Sequence, residues 1–194
     1  DGYLGTYAEE RRFTHPQPPK PPSWDGAPAL RTWDIWVHAY LILGLVETAR
    51  ALQDVRYTRA AGRIADLCAQ ALASGIDITT LGNHHGMSAT VLMDAALELH
   101  EETGEPRFLV LAQRVLEQAN AHPALRLLPA LEAGADASEI ATGKAYQLLW
   151  NLVALVKLCR VTGNGYLRDT LERIWQNIRD HHLTLGGGPW GGVA

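Results

Sequence analysis

The stretches "LELHEETGEPRFLVLAQRVLEQ" (residues 97–118) and "LVKLCRVTGNGYLRDTLERIWQ" (residues 155–176) are two versions of one pattern. Thr103 of the first corresponds to Thr162 of the second, an offset of 59 residues. A more divergent version, "ARALQDVRYTRAAGRIADL", occupies residues 49–67. Each version is typical of a helix, a short turn and a second helix that begins with an aromatic residue. Such hairpins cannot bury their apolar faces alone, so the repeat predicts hairpins that stack on one another.

Capping signals around the repeats predict six helices. Thr and Ser favour helix N-caps, Pro favours the first helical position, and Gly favours the position after the last turn. On these signals the helices begin after Thr32, cover 55–73, run from Ser88 to Gly104, and cover 106–119, 138–161 and 165–180.

The predicted fold class is all-α, with helical hairpin repeats forming part of an (α/α)6 barrel, or toroid. The repeat period exceeds 50 residues, whereas open helical solenoids repeat at roughly 34 to 47 residues. Three hairpins, within residues 31–194, would be half of such a ring, an incomplete domain with two apolar edges. The missing half would come from the same longer protein or from another chain. Residues 1–30 contain "HPQPPKPPSWDGAP", which predicts an extended, Pro-rich segment.

Composition excludes several kinds of partner. The formal net charge of −4 and the pI near 6.1 argue against nucleic acid or anionic lipid. The sequence has no run approaching the roughly 18 apolar residues of a membrane span, which predicts no membrane partner. Cys68 and Cys159 fall in helical patterns and suggest neither a disulfide framework nor a zinc motif. The cellular compartment is left open.

Two adjacent histidines, His84 and His85, precede the third predicted helix. Neighbouring residues on a helix point about 100° apart, so this pair does not chelate a metal as an i, i+4 pair would. They stand at the mouth end of a toroid, where a sugar contact is a reasonable hypothesis. The alternative is a loop in which a histidine hydrogen-bonds the backbone.

The stretch "RTWDIWVHAY" offers a second group of candidates. Asp34 and His38 are four residues apart, which lets the carboxylate orient the imidazole. Trp33 and Trp36 flank them, and flat indoles suit the apolar faces of sugar rings as well as a protein core. Both interpretations, a sugar site and a core, stay open on the sequence.

In "EIATGKAYQLLWN", Gly143 and Lys144 fall in the first turns of the predicted fifth helix. A glycine inside a helix costs about 1 kcal/mol relative to alanine, so a packed helix or a ligand should need the space. Lys144 would project near the same end, as a ligand contact or as a solvated lysine.

Five motifs together resemble one enzyme family. "DGYLGTY", "WDIWVHAYLILGL", "NHHGMSATVLMDAALELHEETG", "GKAYQLLWNLVALVKLCRVTG" and "IWQNIRDHHLTLGGG" follow, in order, the catalytic region of the β-L-arabinofuranosidase glycoside hydrolases of family 127. The resemblance implies an (α/α)6 barrel and hydrolysis of terminal L-arabinofuranosyl groups of plant glycans. It places His38, His84, His85 and Lys144 in the sugar pocket, with Lys144 where the family has a histidine.

The resemblance also implies a zinc-bound cysteine nucleophile and a glutamate acid/base for the full-length family member. Those groups follow the glycine-rich loop in the family, so we expect a middle fragment of a longer enzyme that binds no zinc itself and whose catalytic residues are unknown. Two other hypotheses remain. One is a carbohydrate-binding or scaffold toroid without catalysis. The other is a different α/α-toroid enzyme, such as a sugar epimerase or lyase, with His38 and His85 as acid/base groups.

Overall fold

A computed structural model of the chain describes residues 1–14 and 32–189, and the regular structure of these residues is helical, without a β-strand. The predicted all-α class is therefore confirmed. The α-helices are α1 (Asp34–Leu52), α2 (Val55–Ala73), α3 (Leu92–Thr103), α4 (Pro106–Ala121), α5 (Leu127–Glu132), α6 (Ala145–Thr162) and α7 (Gly165–His181).

The helices form three hairpins arranged in two layers. Within the hairpins, α1 packs on α2, α3 on α4, and α6 on α7. The first helix of each hairpin belongs to an inner layer, in which α3 lies between α1 and α6. The outer layer consists of α2, α4 and α7, and the short α5 joins α4 to α7. This is the alternating inner and outer arrangement of an α/α toroid fragment, as the repeat predicts.

Small and branched apolar residues on α3 allow both neighbouring inner helices to approach it. Ala95, Ala96, Leu97 and Leu99 are all fully buried. At about 25 cal/mol per Å² of buried apolar surface, a central helix of this kind contributes much of the driving force for stacking the hairpins.

By length and composition alone, α1 is in the range of a membrane span, with 19 residues and a mean hydropathy of 1.3. One helix of this kind is weak evidence, because inner helices of a packed bundle are also apolar on several sides. In this fold α1 packs against α2 and α3 and contains the buried polar residues Asp34 and His38. The absence of a membrane partner stays a prediction.

Three predicted helices, 55–73, 106–119 and 165–180, agree with α2, α4 and α7 to within two residues. The start of α3 was predicted wrongly: the helix begins at Leu92, and Ser88 caps nothing there. Instead, the Ser88 hydroxyl accepts the backbone N–H of Asn83 at 2.6 Å and closes a loop. At the first helix, Thr32 Oγ1 accepts the N–H of Asp34 at 3.3 Å, just ahead of α1.

The fifth predicted helix, from residue 138, is also wrong at its start. The corresponding helix α6 begins at Ala145, because Ala141 and Gly143 have positive φ angles of 53° and 66° that a right-handed helix excludes. Gly143 therefore lies in the loop ahead of α6, and Lys144 is the N-cap residue. The sequence did not predict the short helix α5, which lies in a stretch predicted as a loop.

The chain start meets the helices at α1. Residues 1–14 contain a 3₁₀ turn, Glu9–Arg11, and Phe13 is buried in the core. The predicted extended Pro-rich segment, residues 1–30, falls largely outside the described residues, so it stays a prediction, as does the division of the chain at residue 31.

Candidate functional site

Five aromatic side chains, carried by α1, its N-cap residue and α6, contact one another, and we name this group the aromatic face. They are Trp33, Trp36, Tyr40, Tyr146 and Trp150. The ring centroids of Trp36 and Trp150 are 5.4 Å apart, and those of Tyr40 and Trp150 are 4.8 Å apart, both edge-to-face. The i, i+4 spacing on each helix places the rings on one side of that helix, and α3 holds the two helices at the distance at which the rings meet.

The aromatic face borders an open concavity of about 610 Å³. Its lining consists of Tyr40, Lys144, Ala145, Tyr146, Leu149, Trp150, Val153 and Pro189. Concavities of roughly 300 to 1,000 Å³ hold small ligands in proteins. Aromatic walls with a few polar groups suit a sugar, whose ring has apolar faces and hydroxyl edges.

The two tyrosine hydroxyls at the concavity, those of Tyr40 and Tyr146, hydrogen-bond each other. Burial, followed by this hydrogen bond, raises the pKa of Tyr40 to about 12. Tyr40 therefore keeps its proton at neutral pH and can donate a hydrogen bond, but it is a poor general base.

A buried carboxylate lies behind the aromatic face. The indole Nε1–H of Trp150 donates to Asp94 Oδ2 at 2.9 Å, and Lys157 Nζ pairs with Asp94 Oδ1 at 2.8 Å. Lys157 also pairs with Glu98. Burial lowers the pKa of Lys157, but the hydrogen bonds to Asp94 and Glu98 outweigh it and raise that pKa. These contacts fix the indole of Trp150 through residues that do not line the concavity.

Trp33, Trp36 and Lys144 are sequence candidates that lie at this site. Trp33 is exposed on the aromatic face, Trp36 is half-buried within it, and Lys144 lines the concavity. The sequence analysis did not identify three further residues of the site, Tyr40, Tyr146 and Trp150. Their paired i, i+4 spacing, Trp36 with Tyr40 and Tyr146 with Trp150, is the signal that could have found them.

Asp34 and His38 hold the chain start against α1. The Asp34 carboxylate accepts from the Tyr3 hydroxyl at 2.8 Å and from the Phe13 N–H at 2.7 Å. His38 Nδ1 donates to the Asp34 backbone carbonyl at 2.6 Å, and Nε2 accepts the N–H of Leu4 at 3.1 Å. The predicted contact between the Asp34 carboxylate and the imidazole is therefore wrong, since the partner is the carbonyl. Both residues are buried, and their sugar contact stays a prediction.

His84 and His85 form a left-handed turn with Gly86. Their φ angles are 59° and 55°, and Gly86 follows at 87°. Histidine is among the non-glycine residues that are enriched in this conformation. A side chain at Gly86 would place a Cβ 2.3 Å from Thr79 Cα, so the turn also needs its glycine.

The two histidines point to different parts of the molecule. His84 is buried and hydrogen-bonds the Thr142 hydroxyl at 2.7 Å, which joins the loops ahead of α3 and α6. The His85 ring lies 5.8 Å from that of His122, at the end of the outer helix α4. Burial, followed by the charge of His85, lowers the pKa of His122, and Asp77 opposes this. The geometry gives no support to an acid/base pair of His38 and His85. Sugar contacts of His84 and His85 stay predictions.

A second polar cluster anchors the loop ahead of α6 to the end of α7. The Asp136 carboxylate accepts from Ser138, Asn177 and His182, the last at 2.8 Å. The hydrogen bond from Ser138, followed by that from Asn177, holds the pKa of Asp136 well below its usual range. This cluster fixes the loop that carries Gly143 and Lys144.

The described residues do not fit a zinc site. Cys68 is fully buried in the core, where burial raises the pKa of its thiol to about 12, whereas a zinc ligand is a thiolate. The Cys159 thiol donates to the Asn164 carbonyl at 3.3 Å. Residues 1–14 and 32–189 contain no group of three or more His, Cys, Asp or Glu side chains placed to share a metal.

Residues 1–191 match the protein family described as "Beta-L-arabinofuranosidase, GH127 catalytic domain". No match was found among curated proteins or among solved structures. The matched range includes every element of the aromatic face and the concavity.

Proposed function

Because the chain belongs to the β-L-arabinofuranosidase GH127 catalytic-domain family, we propose that it supplies one wall of the sugar-binding cleft of a glycoside hydrolase. The substrates proposed are glycans with terminal L-arabinofuranosyl groups or related sugars. The observation that carries the proposal is the aromatic face beside the 610 Å³ concavity.

The sugar would bind with a ring face against the aromatic face. Tyr146 is half-exposed and Trp150 is fixed from behind by Asp94, so these two rings are available without rearrangement. The hydroxyls of Tyr40 and Tyr146 can exchange their mutual hydrogen bond for bonds to sugar hydroxyls. Preorganised groups of this kind bind a ligand with little loss of side-chain entropy.

The reacting groups would be supplied from outside the concavity's described lining, which contains no carboxylate and no cysteine. Zinc and the cysteine that it activates therefore belong, in this proposal, to other residues of the full-length protein. The part of the chain described here binds and orients the sugar.

A matched pair of tyrosines tests the proposal. Tyr146 is 50% exposed on the aromatic face, and Tyr166 is 60% exposed at the start of the outer helix α7. An aromatic contact is worth about 0.5 to 1.5 kcal/mol, so Tyr146→Ala should lower kcat/KM on an aryl β-L-arabinofuranoside by roughly 2- to 12-fold in the full-length protein. Tyr166→Ala should leave it unchanged. Equal effects of the two substitutions would place the cleft elsewhere.

A binding role without catalysis is the second candidate, favoured by the lack of a carboxylate or a cysteine in the described lining. The Tyr146→Ala and Tyr166→Ala variants also distinguish this binding role from the hydrolase role. If the protein binds arabinofuranosides, loses affinity with Tyr146→Ala and hydrolyses no aryl glycoside, the role is binding alone.

A further inference from the structure

Lys144 is the one charged side chain in the described lining of the concavity. It is the N-cap residue of α6, and its ammonium makes no ion pair with any residue in 1–14 or 32–189. The remaining lining is aromatic, apolar or alanine. The Lys144 ammonium is therefore available to a ligand that enters the concavity.

Two carboxylates near the concavity have hydrogen-bond or ion-pair partners of their own. Asp94, behind Trp150, is paired with Lys157. Asp136, in the loop ahead of Lys144, is held by Ser138, Asn177 and His182. Neither carboxylate lines the concavity. The open space is therefore lined by positive charge that no described carboxylate neutralises.

From this imbalance we propose that the sugar bound in the concavity carries a carboxylate, and that Lys144 selects it. The ligand class is a uronic acid, or a glycan in which a uronic acid neighbours the cleaved sugar. The aromatic face binds the ring and the Lys144 ammonium donates a hydrogen bond to the carboxylate. Hydrogen bonds between charged groups are roughly twice as strong as those between neutral ones. This inference rests on the proposed function, since it concerns the same cleft.

Lysine suits this task because its ammonium is a compact charge on a flexible stem, able to follow carboxylates in different positions on a sugar ring. Lys144 and Tyr146 both line the concavity. A single ligand can therefore contact the ring of Tyr146 and the ammonium together.

Two pairs of sugars that differ only at the carboxylate test the inference. Calorimetry on the full-length protein would compare glucuronic acid with glucose and galacturonic acid with galactose. We expect at least one uronic acid to bind roughly tenfold tighter than its neutral partner, and raised salt to reduce the difference. Lys144→Met should remove the preference, because it weakens binding of the uronic acid roughly tenfold more than binding of the neutral sugar. Lys144→Arg should retain part of it.

Arg114→Met is the matched control, because Arg114 is an exposed cation on the outer helix α4 and does not line the concavity. It should not change the affinity for either sugar. If the neutral sugars bind as tightly as the uronic acids, or if Lys144→Met leaves the preference intact, the inference is wrong and the proposed cleft stands. If no sugar binds and Tyr146→Ala has no effect on activity, the cleft is wrong and the inference fails with it.

Discussion

Gly143 holds a left-handed backbone conformation immediately before Lys144. Its φ angle is 66°, and a Cβ at this position would lie 2.5 Å from the Ser138 carbonyl oxygen. The glycine thus lets the loop ahead of α6 fold closely on itself, with Asp136 and Ser138 on its other side. That close fold determines where the ammonium of Lys144 meets the concavity.

Gly143→Ala should destabilise the protein more than Gly163→Ala. Gly163 has the same φ angle of 66°, but a Cβ there has no atom within 4 Å. Gly163→Ala should therefore lower the unfolding free energy by about 1 to 2 kcal/mol, which is the penalty for an alanine in the left-handed conformation. Gly143→Ala adds an overpacking cost of about 1 to 3 kcal/mol. Urea denaturation of both variants measures the difference in unfolding free energy, and equal losses would mean that the loop ahead of α6 opens without cost.

At the residue scale, the sequence found the parts of the site that lie close together along the chain. Trp33 and Trp36 stand within four residues, and Lys144 follows a conspicuous glycine. Tyr40 and Tyr146 are 106 residues apart and touch only because α1 and α6 pack on the same α3. The spacing from Asp34 makes His38 a candidate in the sequence, whereas its partners in the structure, the N–H of Leu4 and the carbonyl of Asp34, are backbone groups that no side-chain pattern shows.

At the scale of elements, the inner helices are joined by a layer of ion pairs below the aromatic face. Lys157 of α6 pairs with Asp94 and Glu98 of α3, and Arg50 of α1 pairs with Glu98 at 2.5 Å and Glu102 at 2.7 Å. Glu98 thus contacts cations from both neighbouring helices. Burial raises the pKa of Glu98, but the hydrogen bonds from Lys157 and Arg50 outweigh it and lower that pKa.

Lys157→Met should destabilise the protein by about 3 kcal/mol, since it leaves the buried Asp94 carboxylate without its cation. Arg160→Met, on the same helix, is the control. Arg160 pairs with Glu101, but its side chain is 63% exposed, and exposed pairs contribute about 1 kcal/mol or less. Thermal or urea unfolding compares the two. The double variant Asp94→Asn with Lys157→Met should recover part of the loss, because it removes both charges. A Lys157→Met loss no larger than that of Arg160→Met would contradict the prediction.

Helix boundaries could be predicted where capping chemistry is local. Asp54 caps α2 through the N–H of Arg56, Pro106 opens α4, and the Asn164 side chain caps α7 through the N–H of Leu167. The starts of α3 and α6 could not be predicted in this way. Both follow loops with left-handed residues, at His84 and His85 and at Ala141, and those conformations depend on contacts between the two loops. The short α5 was missed because six residues carry too little periodicity to distinguish from a loop.

For the whole molecule, the internal repeat identifies the side of α6 and α7 that another hairpin should cover. At the offset of 59 residues, Val156 of α6 corresponds to Leu97 of α3. Leu97 is fully buried in the middle inner helix, whereas Val156 is 51% exposed. Trp175 is 55% exposed on the same edge, and together with Val156 it lines a groove of about 580 Å³. We infer that a fourth helical hairpin packs against this edge of α6 and α7. Its inner helix would pack on α6 as α6 packs on α3 and α3 packs on α1.

Cysteine labelling in the full-length protein tests this continuation. With Cys159 replaced by Ser, Val156→Cys should react with a thiol reagent at least roughly tenfold more slowly than Val110→Cys, because a docked hairpin excludes the reagent and the reaction then requires local opening. Val110 is the appropriate control, since it is 61% exposed on the outer helix α4, which the inferred hairpin does not reach. Equal rates at the two positions would mean that the α6–α7 edge stays open. The aromatic face would then be one side of a half-ring rather than a wall of a closed toroid.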